Sequence, residues 1–191
     1  MKKYLPIARS DIHVHLTLRD VETLFGPGHR LTVDRELTIP GQFAALEMVT
    51  LEGPSGSIEN VVAVGPERSA TQVEISYSNG LVLGLVPPVR ESGDIEGTPG
   101  CVLLGPAGEV VLERGVIVAA RHVHMNTRDA AEFGVTDGDR VRIKGPGERG
   151  LIFENVIVRV NPNYALEMHI DFDEGFAAGV EDFDLVKLVC P

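Results

Sequence analysis

The feature that most constrains this chain is an internal duplication marked by two His-x-His triplets. The eight residues that start at His13 match the eight that start at His122 at five positions, with an offset of 109 residues. The match resumes at residues 58–61 and 153–156, which are Ile-Glu-Asn-Val and Phe-Glu-Asn-Val. Self-similarity of this length predicts two structural units of one kind, related by an approximate two-fold axis.

The composition and the spacing of the histidines favour a mainly β fold. The chain contains 21 glycines and 12 prolines in 191 residues, and strongly helical stretches are few, which is typical of short strands joined by tight turns. Histidines two residues apart project from one face of a strand, whereas on a helix they diverge by about 200°. We therefore expect two similar small β-barrels, each with short capping helices.

Local signals place the elements and the boundary between the units. Thr17 is expected to cap a helix that Gly26 ends. Residues 71–77 are predicted as a strand, and the boundary between the two barrels is predicted near residue 105. The predicted units are therefore 1–105, which contains the first His-x-His, and 106–191, which contains the second.

Charge, cysteine content and hydropathy exclude several classes of protein. A formal charge of −11 argues against a nucleic-acid partner. The two cysteines have no metal-binding spacing and form no disulfide framework, which fits a reducing compartment. No apolar run approaches the roughly 20 residues of a membrane span, and the start of the chain lacks the pattern of a signal peptide. We expect a cytoplasmic protein.

The duplicated histidines predict a metal site. Five of the six histidines fall at duplicated positions, and Glu74 in the first copy occupies nearly the place of His169 in the second. Histidine pairs on one face of a strand suit Zn²⁺ or a similar cation, although a single histidine is more often an ordinary core or surface residue. Six candidate ligands are enough for two ions between the units, with positions left open for substrate: His13, His15, Glu74, His122, His124 and His169.

Other polar residues are candidates for substrate binding or for orienting the ligands. Arg68 lies six residues before Glu74, and a planar guanidinium suits an oxyanion such as phosphate. Arg90 and Ser92, in a loop that two prolines exclude from a central strand, are similar candidates. The acidic residues from Asp171 to Glu174 either orient imidazoles or form a solvated loop. A solvated surface position is the alternative for both arginines.

Five phrases, in order along the chain, resemble the PduL-type phosphate acyltransferases (phosphate propanoyltransferases, or phosphotransacylases). The resemblance extends from about residue 5 to residue 179. The phrases are Gly41-Gln42-Phe43-Ala44, Thr71-Gln72-Val73-Glu74-Ile75-Ser76, Pro87-Pro88-Val89-Arg90 with Ser92-Gly93-Asp94, Arg121-His122-Val123-His124-Met125, and Met168-His169-Ile170-Asp171.

This resemblance implies two β-barrels with a dinuclear zinc site between them, and transfer of an acyl group between coenzyme A and inorganic phosphate. It implies that the six candidate ligands hold the zinc ions and that Arg68 holds phosphate. The expected partners are therefore acyl-CoA and phosphate, and we expect a homo-oligomer.

The chain departs from the family pattern in two places. The family usually has arginine directly before the first His-x-His, where this chain has Ile12, while Arg121 keeps the arginine in the second copy. Members packaged in bacterial microcompartments carry an N-terminal targeting extension, and only 12 residues precede His13 here. The expectation is a free cytoplasmic form or a shortened chain, and association with a microcompartment stays an alternative.

Two other classes of function remain open on the sequence. A dinuclear metallohydrolase acting on acyl phosphates or phosphoesters would use similar ligands, although the amidohydrolases that begin with His-x-His are barrels of about 250 residues. A non-catalytic metal-binding or scaffold protein would show no dependence on coenzyme A and no open metal position.

Overall fold

The computed structural model describes residues 3–189 in full and the backbone, but not the side chain, of Cys190. Its elements fall into two compact units. Unit 1 comprises the described residues of Met1–Asp11, Thr38–Pro40 and Ala120–Pro191, and unit 2 comprises Ile12–Leu37 and Gly41–Ala119. Most residues outside loops are in strands, which confirms the mainly β prediction.

Unit 1 contains a closed six-stranded barrel. Along the barrel the strands run in the order β1, β14, β11, β13, β12 and β15, and β15 pairs again with β1. The strands are β1 (Tyr4–Ser10), β11 (His122–Met125), β12 (Arg140–Lys144), β13 (Ile152–Val160), β14 (Glu167–Asp171) and β15 (Leu185–Cys190). Its core includes Leu5, Ile7, Phe133 and Met168, all fully buried. Two helices accompany the barrel, α3 (Thr127–Phe133) and α4 (Phe172–Ala178).

Unit 2 is a nine-stranded sheet with its own core, which includes Val14, Leu16, Leu51 and Leu103. Eight strands run in the order β7, β10, β6, β2, β5, β4, β8 and β9, and β3 pairs with β4. The strands are β2 (His13–His15), β3 (Val33–Glu36), β4 (Phe43–Glu52), β5 (Ser57–Gly65), β6 (Gln72–Glu74), β7 (Val89–Arg90), β8 (Val102–Leu104), β9 (Glu109–Val111) and β10 (Val116–Ala119). Its helices are α1 (Leu18–Phe25) and α2 (Tyr77–Leu83).

The two units exchange the strand that precedes each His-x-His. β1 belongs to unit 1 although it leads into β2 of unit 2, and β10 belongs to unit 2 although it leads into β11 of unit 1. The pairings are equivalent, because β1 joins β14 in parallel with Ala8 opposite His169, and β10 joins β6 in parallel with Ile117 opposite Glu74. Ala8 and Ile117 are 109 residues apart, like His13 and His122.

The structural units therefore differ from the predicted ranges 1–105 and 106–191. Contacts between strands assign β10 to the first His-x-His unit and β1 to the second. That each predicted range folds as a domain of its own stays a prediction.

The helices are set by capping residues. The predicted helix after the first His-x-His is confirmed as α1, with Thr17 as N-cap and Gly26 as C-cap. The predicted strand over residues 71–77 is wrong beyond Glu74, because Ser76 caps α2 and exchanges hydrogen bonds with Asn79. Asp171 and Glu174 form the same reciprocal cap on α4, a helix that was not expected from the sequence.

Candidate metal centre

In unit 2 the antiparallel pairing of two short strands brings His13, His15 and Glu74 together. In the register of β2 and β6, His13 lies opposite Glu74 and His15 lies opposite Gln72. Because residues two apart on a strand share a face, both imidazoles and the carboxylate meet on one face of the sheet. One ligand atom from each of the three residues lies within 4.8 Å of the other two, a convergence that no other such group in residues 3–189 reaches.

The spacing of these atoms suits a shared cation better than direct hydrogen bonds. His13 Nε2 lies 3.6 Å from Glu74 Oε2, and His15 Nε2 lies 3.7 Å from Glu74 Oε1. Hydrogen bonds are shorter than this, whereas ligand atoms at tetrahedral zinc bond lengths lie about 3.3 Å apart. The Nδ1 of His15 lies 3.0 Å from the carbonyl oxygen of Val64, so an Nδ1–H donated there leaves the Nε2 lone pair facing Glu74.

The electrostatics keep these ligands in the forms that bind metals. Burial lowers the pKa of His15, so its imidazole is neutral at physiological pH. Burial alone would raise the pKa of Glu74, but the neighbouring His13 and His15 and the hydroxyl of Ser92 hold it well below its usual range. Two imidazoles and one carboxylate form a donor set typical of catalytic zinc, and therefore these three residues fit a zinc ion.

In unit 1 the same pairing brings three histidines together. β11 and β14 are antiparallel, with His122 opposite His169 and His124 opposite Glu167. The ring centroids lie 4.7 Å apart for His122 and His124, 5.1 Å for His122 and His169, and 4.9 Å for His124 and His169. The strand pairing is that of unit 2 with His169 in the place of Glu74, but the ligand atoms of the three histidines do not converge as closely as those of His13, His15 and Glu74.

Two buried ring nitrogens of this cluster make no hydrogen bond, namely Nδ1 of His124 and Nε2 of His169, although the second lies 3.3 Å from Glu167 Oε2. A buried polar atom without a partner is costly unless a ligand satisfies it, so the cluster also fits a bound cation. The Nδ1 of His122 lies 2.8 Å from the carbonyl oxygen of Ala120, which leaves its Nε2 for a ligand. Burial, with His169 and Arg159 nearby, lowers the pKa of His124 to about 3.

The buried histidines predict how pH affects the metal-free protein. The pKa values of His15, His122 and His124 are lowered in the folded state by burial, while in the unfolded chain they return to about 6.5. Below about pH 6.5 the unfolded state therefore binds more protons, so stability falls as the pH falls.

We expect the urea midpoint of the chelator-treated protein to decrease from about pH 7.5 to about pH 5.5. The variant His124→Gln should show a smaller decrease over the same range, because it removes a histidine whose pKa burial lowers to about 3 in the folded state. A wild-type midpoint that stays constant over this range would contradict the expectation.

Arg68 and Ser92 lie next to Glu74. Arg68 Nη1 donates to Ser92 Oγ at 2.9 Å, and Ser92 Oγ donates to Glu74 Oε1 at 2.8 Å. The main-chain N–H of Arg68 donates to the carbonyl oxygen of Leu16 at 2.8 Å, one residue after His15. The half-buried guanidinium of Arg68 is thus connected to the candidate ligand Glu74 through the hydroxyl of Ser92.

The other predicted residues have different surroundings. Arg90 lies on β7 and pairs with Asp94 at 3.4 Å. Asp171 caps α4, and Glu174 accepts a hydrogen bond from Arg121, so these carboxylates stabilise the start of a helix. The carboxylate within reach of His169 is instead Glu167, whose Oε2 lies 3.3 Å from His169 Nε2 and accepts from Thr38.

The replacement of the family's arginine by Ile12 is matched by a second difference between the two units. In unit 1, Arg121 precedes the His-x-His and pairs with Glu174 in the cap of α4. In unit 2, Ile12 takes the place of Arg121 and packs against the apolar core, while Asn79 takes the place of Glu174 in the cap of α2. Unit 2 thus lacks both members of the ion pair, and no buried charge is left behind.

The fold and site define a mainly β protein with two equivalent strand pairs, each presenting three metal-type ligands. The family model described as phosphate propanoyltransferase matches residues 6–181. A Thermotoga maritima protein named phosphate propanoyltransferase is 54% identical over 94% of this chain and 86% of its own length. A protein of the same name from Enterococcus faecalis is 47% identical over 91% of this chain and 82% of its own length. Another from Rhodopseudomonas palustris is 46% identical over 94% of this chain and 79% of its own length.

The chain belongs to the phosphate propanoyltransferase family. The resemblance stated from the sequence is thereby confirmed, and with it the expected enzyme class, phosphate acyltransferase. Within the described residues, none of the helices has the length and hydropathy to cross a membrane.

Proposed function

We propose that this enzyme transfers a short acyl group, propanoyl or acetyl, between coenzyme A and inorganic phosphate at a zinc site. Family membership supports the reaction. The observation that carries the proposal is the hydrogen-bonded path from Arg68 through Ser92 to Glu74, which joins an anion-binding guanidinium to a zinc-type donor set. The expected homo-oligomer and the cytoplasmic location stay predictions.

The two clusters would each hold one zinc ion, one through His13, His15 and Glu74 and one through His122, His124 and His169. Zinc bound by such ligands lowers the pKa of a thiol and polarises a carbonyl group. The placement of both ions between the two barrels stays a prediction.

In the proposed reaction an oxygen of phosphate attacks the thioester carbonyl carbon, and the carbon–sulfur bond breaks to release the coenzyme A thiolate. Arg68 would bind the phosphate dianion and direct it at the carbonyl. The transfer is direct, without an acyl-enzyme. Burial raises the pKa of Cys101 to about 11, so this thiol is protonated and unreactive at neutral pH. Ser92 donates its proton to a carboxylate, not to an imidazole base.

The test is an acyl-transfer assay on the purified enzyme. Propanoyl-CoA and acetyl-CoA are each mixed with phosphate, and release of free thiol is followed before chelation, after chelation, and after zinc is added back. We expect thiol release that requires phosphate, that chelation abolishes and that zinc restores. The two rates rank the acyl groups.

Other outcomes of the assay contradict specific parts of the proposal. Release of thiol without phosphate would indicate a hydrolase. Phosphate-dependent release that survives complete removal of metal would retain the reaction and overturn the role of zinc.

A further inference from the structure

The candidate ligand Glu74 has a neighbour that none of the roles above uses. Gln72 lies two residues earlier on β6, faces the same side of the strand, and is 2% exposed. We propose that Gln72 is a positioning residue that fixes the Glu74 carboxylate and the turn at Ser92 and Gly93. This inference rests on the metal site proposed for Glu74.

The orientation of the Gln72 amide follows from its partners. The main-chain N–H of Gly93 donates to Gln72 Oε1 at 2.7 Å. Since an N–H group can only donate, the oxygen of the amide must face Gly93, and the NH₂ group must face the other way. There it donates to Glu74 Oε1 at 2.7 Å and to Ser92 Oγ at 3.0 Å.

Each hydrogen bond in this network joins a donor to an acceptor, without conflict between the groups. Ser92 gives its single proton to Glu74 and accepts from Gln72 and Arg68, which uses both of its lone pairs. Glu74 Oε1 thus receives two hydrogen bonds, from Gln72 and Ser92, and this holds the carboxylate in one orientation. Such partners fix the direction of a metal ligand and tune its affinity.

An amide is the group that this position requires. Methionine would fill the same volume but would leave the Gly93 N–H and one side of Glu74 without partners. Glutamate would keep an acceptor for Gly93 but would set a second carboxylate against Glu74.

Unit 1 has a different residue at the equivalent position, and the difference follows the ligand. Glu167 lies two residues before His169, 4% exposed, with the same strand register that Gln72 has in unit 2. A carboxylate is suited to an imidazole neighbour and an amide NH₂ to a carboxylate neighbour. Each position therefore matches the chemistry of the ligand beside it.

The test compares Gln72→Met with the wild-type protein in two measurements. The first is zinc affinity, by competition with a chromophoric chelator; we expect binding about 10- to 100-fold weaker. The second is backbone hydrogen exchange of residues 91–94 in the metal-free protein, which should become faster because Gly93 loses its acceptor. In Gln72→Glu, exchange of this segment should return to near the wild-type rate, since an acceptor for Gly93 is restored.

A matched control is Thr98→Val in the same unit. Like Gln72, Thr98 is a buried polar residue, and its hydroxyl accepts from the N–H of Gly115 at 2.9 Å. This variant should lose stability without a change in zinc affinity.

Wild-type zinc affinity in Gln72→Met, or an equal loss in Thr98→Val, would overturn the positioning of Glu74. Unchanged exchange at 91–94 would overturn the positioning of the turn. If the wild-type protein itself binds no zinc, the proposed metal site fails, and faster exchange in Gln72→Met still supports the role in the turn. If Gln72→Met does not fold, an exchange rate in Gln72→Glu that departs from wild type overturns the proposal.

Discussion

The variant Arg68→Ala is expected to lose on the order of 10²-fold or more of its turnover while keeping its zinc. Arg68 is half-buried, and its main chain is tied to Leu16 beside the His13–Glu74 cluster. In the proposed reaction this guanidinium would bind a phosphate oxyanion and place it for attack, and removing such a group raises the barrier by about 3 kcal/mol. The measurement is phosphate-dependent thiol release, together with zinc content.

Two further variants separate the possible reasons for such a loss. Arg68→Lys keeps the charge but not the planar fork, and should recover only part of the activity. Arg114→Ala removes an exposed arginine that pairs with Glu96 in the same unit, and should have normal turnover. Full turnover in Arg68→Ala would remove Arg68 from the mechanism, whereas loss of zinc would make it a support of Glu74 acting through Ser92.

Glu74→Gln is expected to lose zinc affinity by more than the roughly 10- to 100-fold typical of an outer partner, and turnover with it. The substitution removes the only negative charge among the three ligands and puts an amide beside the donors of Gln72 and Ser92. The neighbouring imidazoles would face a neutral group where they now face an ionised carboxylate. Zinc content and thiol release, both measured at several added zinc concentrations, test this expectation.

The matched control for Glu74→Gln is Glu52→Gln, an exposed glutamate on β4 of the same unit. It should bind zinc and turn over normally. If Glu74→Gln retained wild-type zinc affinity and turnover, the His13–Glu74 cluster would not be the metal site.

Much of the geometry of the candidate site could be predicted, because it depends on the local geometry of strands. The two-residue period of a strand puts His13 and His15 on one face, and the duplication led to Glu74 and His169 as the third members. The same period would have identified Gln72 and Glu167, each two residues before a candidate ligand. They were missed because glutamine and glutamate are common surface residues, and only the register shows that they are buried.

The fold was less predictable where it depends on competition or on distant contacts. The sequence from Thr71 to Tyr77 is rich in β-formers, but Ser76 and Asn79 form a cap that starts a helix there, as Asp171 and Glu174 do on α4. Hydrogen bonds of the cap outweigh the weak local preference for a strand. Nothing in the repeat indicates which unit receives β1 or β10, because their pairings with β14 and β6 join residues that are far apart in the sequence.

The exchange of β1 and β10 has a consequence for folding cooperativity. Only residues 11–12 separate β1 from the His-x-His strand β2, and only residues 120–121 separate β10 from β11. Each sheet is therefore completed by a segment whose chain continues at once into the ligands of the other unit. Unfolding of either unit frees a strand whose chain continues directly into the other unit's histidines, and we therefore expect the two units to unfold in a single transition.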